Sequence, residues 1–297
     1  MKLLKTPEER FDNLPDFPFN PHLIEVDGIN IHFLDEGTNP AEAILLMHGE
    51  PSWCFLYRHM IPILVKGGYR ILAPDLVGFG RSDKPAEQTD HTYKKHVEWI
   101  TKWLKMLNID NITLFCQDWG SLIGLRVAIE NRDRFKRIVL SNGGLPTGEQ
   151  RMSDAFINWR EFSRTATKFY VGRIVQGGTT TKLPRNVINA YDAPFPDDNF
   201  KAGARIMPSL VPISKDDPEH EANKKAIEQY GKWQKPFLTA FSDGDPITRG
   251  GDKFWQEIVP GAQGQKHTTI KDGGHFLQED KGPELANLIL KFIKTNP

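Results

Sequence analysis

The sequence predicts an α/β fold with a mostly parallel central sheet, helices on both faces of the sheet and an inserted helical cap. Three observations carry this prediction. Short apolar runs alternate with stretches of helical period, polar residues follow directly after several of these runs, and the alternation breaks once. Because the break covers about residues 145–234, we expect a core domain over 1–144 and 235–297 and a cap domain over 145–234.

The elements of the predicted core follow in chain order. A turn signal at Asp27-Gly28 predicts a hairpin over residues 23–35. Later apolar runs with the length of buried strands cover residues 43–47, 69–73, 112–116, 137–140, 237–241 and 267–270. Helical stripes cover residues 93–107 and 283–293. Strands separated by helices indicate parallel pairing through right-handed crossovers.

The segment between residues 145 and 234 has a different pattern. It begins with a helical pattern through Phe156, Trp159 and Ser163, and continues with many Gly and Pro residues but no obvious core strand. We interpret it as a mostly helical cap. The cap would cover the carboxyl ends of the parallel strands, where such sheets bind their ligands.

Composition restricts the classes of function. The 297 residues are 39% hydrophobic and 26% charged, with a formal net charge of zero, as in an ordinary globular protein. No dense Lys/Arg run suggests a nucleic-acid partner, and no apolar stretch approaches a membrane span. The two cysteines, Cys54 and Cys116, fit neither a disulfide framework nor a metal site. The charged start argues against a secretory signal, so we expect a cytoplasmic protein and, by default, a monomer.

The most informative segment is the junction at Asp118. The strand-like run over residues 112–116 stops at Gln117, and a helical pattern opens at Gly120. A sharp turn from strand to helix with one reactive residue is typical of the nucleophile elbow of α/β-hydrolases. Asp118 would be the nucleophile here. The alternative is that Asp118 only caps the helix, a role that Asp favours.

An aspartate nucleophile predicts chemistry at saturated carbon. Serine attacking such a carbon would form an ether, which water does not cleave under enzyme conditions. Aspartate forms an alkyl ester instead, and the carbonyl needed for the second step then comes from the enzyme. Asp118 therefore indicates substrates such as alkyl halides or epoxides.

Two later residues complete a triad in the chain order of α/β-hydrolases. Asp245 follows the apolar run 237–241, and His275 follows the next run in a Gly-Gly-His loop. We expect Asp245 to orient His275, and His275 to deprotonate the water that hydrolyses the ester. Asp243 is the rival for the acid, and we prefer Asp245 because the residues around Asp243 are typical of a turn.

An oxyanion hole is expected from two backbone N–H groups. One belongs to Trp119, the residue after the nucleophile. The other belongs to Glu50, in the loop after the strand-like run 43–47.

With these residues identified, the chain resembles a haloalkane dehalogenase, in the branch of the α/β-hydrolase superfamily whose catalytic Asp follows the late strand. The matching motifs are His48-Gly49-Glu50-Pro51-Ser52-Trp53, Asp75 with Gly78-Phe79-Gly80-Arg81-Ser82-Asp83, Gln117-Asp118-Trp119-Gly120, Asp245 and Gly273-Gly274-His275-Phe276. Other members carry the acid one strand after the nucleophile helix, where this chain has Ser141-Asn142-Gly143. The absence of an acid there supports Asp245.

The resemblance implies how the halide leaves. Dehalogenases of this branch hold it between two indole N–H groups. Trp119 matches the first, and Trp159, early in the cap, is expected to be the second; its alternative role is packing beside Phe156. The implied substrate is a small halogenated alkane, the products are an alcohol, a halide ion and a proton, and no metal or organic cofactor is required.

Three alternatives remain open from the sequence. An epoxide hydrolase uses the same Asp nucleophile and two cap tyrosines, for which Tyr170 and Tyr191 are available. A fluoroacetate dehalogenase would need paired arginines after the elbow, whereas Arg126 stands alone there. A non-catalytic homologue could keep the fold as a ligand receptor or scaffold.

Overall fold

The computed structural model describes residues 1–38 and 42–297. Within them the strands are β1 (Leu3–Leu4), β2 (His22–Val26), β3 (Ile29–Glu36), β4 (Ala43–Met47), β5 (Arg70–Pro74), β6 (Lys84–Pro85), β7 (Ile112–Cys116), β8 (Phe135–Leu140), β9 (Phe237–Ser242) and β10 (Thr268–Ile270). The α-helices of the same part of the chain are α1 (Ile61–Lys66), α2 (Tyr93–Leu107), α3 (Trp119–Glu130), α4 (Asp154–Thr165), α5 (Val171–Gly177), α6 (Arg185–Asp192), α7 (Ala202–Leu210), α8 (His220–Tyr230), α9 (Gly251–Ile258) and α10 (Leu277–Thr295).

Eight strands form one sheet in the spatial order β10-β9-β8-β7-β4-β5-β3-β2. Strand β3 pairs antiparallel with β2 and with β5, and the other neighbours pair parallel. Every residue of the central strands β4 and β7 is buried. Both faces of these strands are therefore covered, which explains why they appear in the sequence as continuous apolar runs. The predicted α/β class and mostly parallel sheet are confirmed.

The sheet has a switch point between β4 and β7. Strand β5 lies on one side of β4, whereas β8, β9 and β10 lie in succession beyond β7. In an open α/β sheet the ligand crevice forms at such a point, outside the carboxyl ends of the strands. The loop that carries Glu50 leaves β4 there, and the turn that carries Asp118 leaves β7 there.

Three helix ends in the chain follow ordinary capping rules. Thr92 caps the N-terminus of α2, because its Oγ1 accepts a hydrogen bond from the Lys95 N–H at 3.1 Å. Asn108 ends the same helix in the left-handed conformation. Ser153 caps the N-terminus of α4, because its Oγ accepts a hydrogen bond from the Phe156 N–H at 3.2 Å.

Five helices, α4 to α8, lie between β8 and β9, where the sequence predicted a helical cap. The last of them packs on the core helix α3, and the Tyr230 hydroxyl donates to the Leu125 carbonyl at 2.7 Å. The domain boundaries at residues 145 and 234 stay a prediction.

Two details differ from the sequence prediction. The last helix, predicted from residue 283, begins at Leu277 and kinks at Lys281, so Pro283 follows a kink instead of starting the helix. The antiparallel pair β1 and β6 was not predicted, because two-residue strands carry no periodic pattern. The predicted strands of the main sheet agree with the observed ones to within two residues at each end.

The described residues contain no helix that is both long enough and apolar enough to cross a bilayer.

Candidate active site

Asp118 lies at a strained turn between β7 and α3. Its backbone has φ 50° and ψ −131°, a conformation that costs free energy in a non-glycine residue and recurs at functional sites. The side chain makes no capping hydrogen bond to α3, so the helix-capping alternative is wrong. The turn instead directs the carboxylate away from the helix and into the crevice.

Two glycines allow this close geometry. A Cβ at Gly120 would lie 2.0 Å from the Met47 carbonyl oxygen, and a Cβ at Gly49 would lie 2.3 Å from the Asp118 Oδ1. No side chain fits at those distances. The elbow and the loop after β4 can therefore approach each other only with glycine at both positions.

The loop after β4 presents its backbone to the nucleophile. The Glu50 N–H donates to the Asp118 Oδ1 at 2.7 Å. His48 supports this loop, because its Nε2 accepts from the Leu76 N–H at 2.9 Å and its Nδ1 lies 2.9 Å from the Gly49 carbonyl. Trp119 is the first residue of α3, so its N–H has no acceptor within the helix. Both predicted oxyanion donors thus flank Asp118.

His275 lies between two carboxylates. Its Nε2 is 3.4 Å from the Asp118 Oδ2, and its Nδ1 is 3.1 Å from the Asp245 Oδ2. Asp245 is fully buried and also accepts from the Ile247 N–H at 2.9 Å and from the Thr248 hydroxyl. The three predicted triad residues, which come from three separate loops, therefore meet in one row, in which His275 is hydrogen-bonded to Asp245 and forms a charge pair with Asp118.

The charges in this row reinforce one another. Burial disfavours the ionised Asp245, but His275, Thr248 and the Ile247 N–H outweigh burial and lower the pKa of Asp245 to about 2. Burial also disfavours protonated His275, yet Asp245 and Asp118 raise the pKa of the imidazole above its ordinary value. The resting site therefore favours an imidazolium held between two carboxylates.

The rival acid lies elsewhere. The Asp243 Oδ1 accepts from the Asp272 N–H at 2.9 Å, and its Oδ2 lies 3.5 Å from the Lys271 Nζ. Asp243 therefore joins two loops, and Asp245 is the carboxylate that contacts His275.

Asn142 follows β8, at the position where other branches carry the acid. Its carbonyl accepts from the Asp118 N–H at 2.9 Å, and its Nδ2 donates to the Ser242 Oγ at 2.9 Å and to the His275 carbonyl at 3.1 Å. One amide thus ties together the nucleophile turn, the end of β9 and the histidine loop.

A cavity of about 710 Å³ opens from the nucleophile, and Asp118, Trp119 and Trp159 line it. A second cavity, of about 300 Å³, is lined by Glu50, Trp159 and His275. Trp159 therefore borders both cavities. The Trp119 ring packs edge-on against Tyr93 with centroids 5.0 Å apart.

The Glu50 side chain is 2% exposed, and its Oε1 has no hydrogen-bond partner. Burial and the adjacent Asp118 carboxylate raise the pKa of the Glu50 carboxyl well above its ordinary value. The neutral form is therefore favoured, and Glu50 adds no second negative charge beside the nucleophile.

Three contributors to this site were given no role in the sequence analysis: Gln117, Asn142 and Thr248. Gln117 is buried, and its Nε2 lies 3.1 Å from the His275 Nε2. The signal available in the sequence was its place, since an amide next to the elbow nucleophile at the end of an apolar strand needs buried partners. Asn142 and Thr248 gave no such signal.

The comparisons with known proteins agree with the predicted fold and family. The family model of the α/β hydrolase fold matches residues 42–282. A haloalkane dehalogenase of Psychrobacter cryohalolentis is 54% identical over 100% of both chains. One of Mycobacterium marinum is 49% identical over 98% of this chain and 100% of its own. The tetrameric structure of the haloalkane dehalogenase DpaA of Paraglaciecola agarilytica superposes with a TM-score of 0.89, at 32% identity and 97% coverage of each chain.

A relative of this identity over the full length, together with a family model over most of the chain, shows the family. The chain belongs to the haloalkane dehalogenase family of the α/β hydrolases.

Proposed function

We propose that this protein hydrolyses haloalkanes to an alcohol, a halide ion and a proton through an alkyl ester on Asp118. The observation that carries the proposal is the nucleophile itself: an aspartate at a strained elbow, with one carboxylate oxygen on an oxyanion donor and the other beside His275. Serine at this turn would support acyl transfer instead.

The first step forms the ester. Asp118 Oδ2 is the attacking atom, because Oδ1 is occupied by the Glu50 N–H. A carbon–oxygen bond forms in line as the carbon–halogen bond breaks, and the halogen leaves with the bonding electron pair. The indole N–H groups of Trp119 and Trp159 stabilise the negative charge that develops on the halogen. The mainly apolar cavity around them suits an alkyl substrate.

The second step cleaves the ester. Alkylation neutralises Asp118, removing one of the two carboxylates that favour protonated His275, so the pKa of His275 falls and its Nε2 becomes a base. Water gives its proton to that nitrogen and attacks the Asp118 Cγ. The negative charge moves to Oδ1, where the N–H groups of Glu50 and Trp119 stabilise it.

The intermediate then collapses. The bond between Cγ and Oδ2 breaks, and the departing alkoxide takes the proton from His275 to become the alcohol. The new carboxylic acid of Asp118 loses its proton. That proton passes to solvent and is the proton among the products, and the oxygen of the alcohol comes from Asp118.

The epoxide-hydrolase alternative requires two tyrosines beside the nucleophile. The Tyr191 hydroxyl donates to Glu279, and Tyr170 is 45% exposed. Neither tyrosine is among the residues that line the two cavities. Arg126, considered for fluoroacetate, is bound by Glu130 and Glu219. These contacts favour a haloalkane as the substrate.

A small haloalkane is the only partner that the mechanism needs. A monomer stays the default prediction for this chain, and a cytoplasmic location also stays a prediction.

The test is bromide release from 1,2-dibromoethane by the wild type, Asp118→Asn and Asp118→Ala, with 1,2-epoxybutane assayed in parallel. We expect the wild type to release bromide and acid, and both variants to lose at least about 10³-fold in rate, as when other covalent nucleophiles are removed. Diol from the epoxide without bromide release would replace the proposal by epoxide hydrolysis. Bromoalkane binding without either product would favour a non-catalytic homologue.

A further inference from the structure

Gln117 contacts the proposed base from a direction that the mechanism above does not use. The residue precedes Asp118 in the elbow and is fully buried. Its Nε2 lies 3.1 Å from the His275 Nε2 and 3.1 Å from the His275 carbonyl oxygen. One side-chain amide therefore touches both the ring and the backbone of the same histidine.

The orientation of this amide is fixed by its neighbours. A carbonyl oxygen only accepts hydrogen bonds, so the Gln117 atom that faces the His275 carbonyl must be the NH₂ group. The Gln117 Oε1 in turn lies 3.4 Å from the Nε2 of Gln278, which is also fully buried. Reversing the amide would place two oxygens against each other at His275 and two NH₂ groups against each other at Gln278.

The proton positions on His275 then follow. Nδ1 faces the ionised Asp245 and carries a hydrogen in both charge states. Only Nε2 gains and loses a proton, and it faces the second N–H of Gln117. That N–H can donate to Nε2 only when the nitrogen has a free lone pair, so the contact stabilises neutral His275.

We propose that Gln117 is a positioning residue for the second half of the reaction, holding the His275 ring and favouring its unprotonated Nε2 once Asp118 carries the alkyl group. The inference rests on the proposed function, since it needs an ester that His275 helps to hydrolyse. Asp118 and Asp245 both favour the protonated ring of His275, whereas Gln117 favours the neutral ring. When alkylation neutralises Asp118, only one carboxylate still opposes Gln117, and the neutral ring becomes more populated.

None of the charged groups that surround His275 among the described residues stabilises the neutral imidazole. Asp118 and Asp245 both favour the protonated ring, and Glu50, which also lines the cavity at His275, does the same when ionised. The cap residues that line this cavity, Ala155, Trp159, Ile174 and Gly177 to Thr180, carry no titratable group. Gln117 is the side chain here whose contact favours the neutral ring.

The test compares Gln117→Met with the wild type and with Gln256→Met. Methionine has a similar length but donates no hydrogen bond, and Gln256 bonds Thr239 and Asp252 away from the site. Two readouts are used: the pKa of His275 from imidazole nitrogen shifts, assigned with His275→Phe, and rapid-quench kinetics with 1,2-dibromoethane. The first readout needs no turnover, so failure of the proposed function would be seen separately as absent bromide release by the wild type.

Loss of the donor should raise the pKa of His275, by about 0.5–1 unit for one hydrogen bond. The acid limb of ester hydrolysis should move to higher pH by the same amount. At pH 7 hydrolysis should slow by about 3- to 10-fold, while the bromide burst changes by less than about twofold. Gln256→Met should match the wild type in both readouts.

Gln278→Met provides a second variant in case Gln117→Met does not fold. It keeps the Gln117 donor but removes the group that orients it, so the same shifts should appear at a smaller size. An unchanged or lowered pKa of His275 in a folded variant would overturn the inference. A burst that slows as much as hydrolysis would overturn it too, since Gln117 would then act only on the general shape of the site.

Discussion

The two walls of the site are built in different ways. On the core wall, backbone and side-chain hydrogen bonds fix Asp118, Asp245 and His275, and the histidine and Asp245 are almost fully buried. On the cap wall, Trp159 is only partly buried, and its ring lies 5.8 Å from Phe162 and 5.9 Å from Phe169. The Phe162 ring is itself 43% exposed.

This difference separates chemistry from substrate binding. Hydrogen bonds set the core residues to the short distances that proton transfer and oxyanion stabilisation require. Two ring contacts and one hydrogen bond, to the Glu50 carboxyl, place Trp159 less strictly, which suits a wall that must admit a substrate and release a halide. Changes on the core wall should therefore slow or block a chemical step. Changes on the cap wall should weaken halide binding and slow carbon–halogen cleavage by smaller amounts.

The largest effect is expected from His275→Phe. Asp118 should still be alkylated, but no base would activate the water, so turnover should fall by at least about 10³-fold. Bromide release should stop after one equivalent per site, and intact-protein mass should show the retained alkyl group. Continued turnover after the first equivalent would exclude His275 as the base. It would also contradict the claim that the core wall carries out the chemical steps.

An intermediate effect is expected from Trp159→Phe. The variant keeps an aromatic ring but loses the N–H, so halide binding and carbon–halogen cleavage should weaken by about 10- to 100-fold. Fluorescence titration with bromide and rapid-quench kinetics measure the two quantities. Phe162→Leu is the matched control, because it removes the neighbouring ring and leaves the indole N–H in place. Equal losses in both variants would mean that Trp159 serves only as packing.

The smallest effect is expected from Thr248→Val, which removes one donor to Asp245 at nearly constant volume. The Ile247 N–H bond remains, so the pKa of Asp245 should rise from about 2 but stay below its ordinary value. Ester hydrolysis should slow by about 2- to 5-fold, the usual result of losing one hydrogen bond. Slowing beyond tenfold would show that Asp245 is less firmly held than its contacts indicate.

The same contrast explains how much of the protein the sequence predicted. Strands β4 and β7 were predicted with both ends correct because both faces are buried and each is a continuous apolar run. Asp118, Asp245 and His275 could be proposed as partners because each directly follows a strand of a parallel sheet, whose carboxyl ends meet at one edge. The structure brings these three residues together as expected.

Other features depend on contacts that sequence patterns do not encode. Gln117 and Asn142 act through hydrogen bonds to residues more than 90 positions away in the chain, to His275 and Ser242. Thr248 contributes through a hydroxyl that any surface loop could carry. The cavity at Trp159 depends on how the cap helices pack, and ring contacts leave no periodic signal of their own.

The central claim is that water attacks the Asp118 ester and not the substrate carbon. The most direct test is a single turnover of 1,2-dibromoethane by excess wild-type enzyme in ¹⁸O-labelled water, followed by mass analysis of the alcohol and of the peptide that contains Asp118. The mechanism predicts an unlabelled alcohol and one ¹⁸O in the Asp118 carboxylate. A labelled alcohol with an unlabelled Asp118 would contradict it, and would make the aspartate a base for direct hydrolysis.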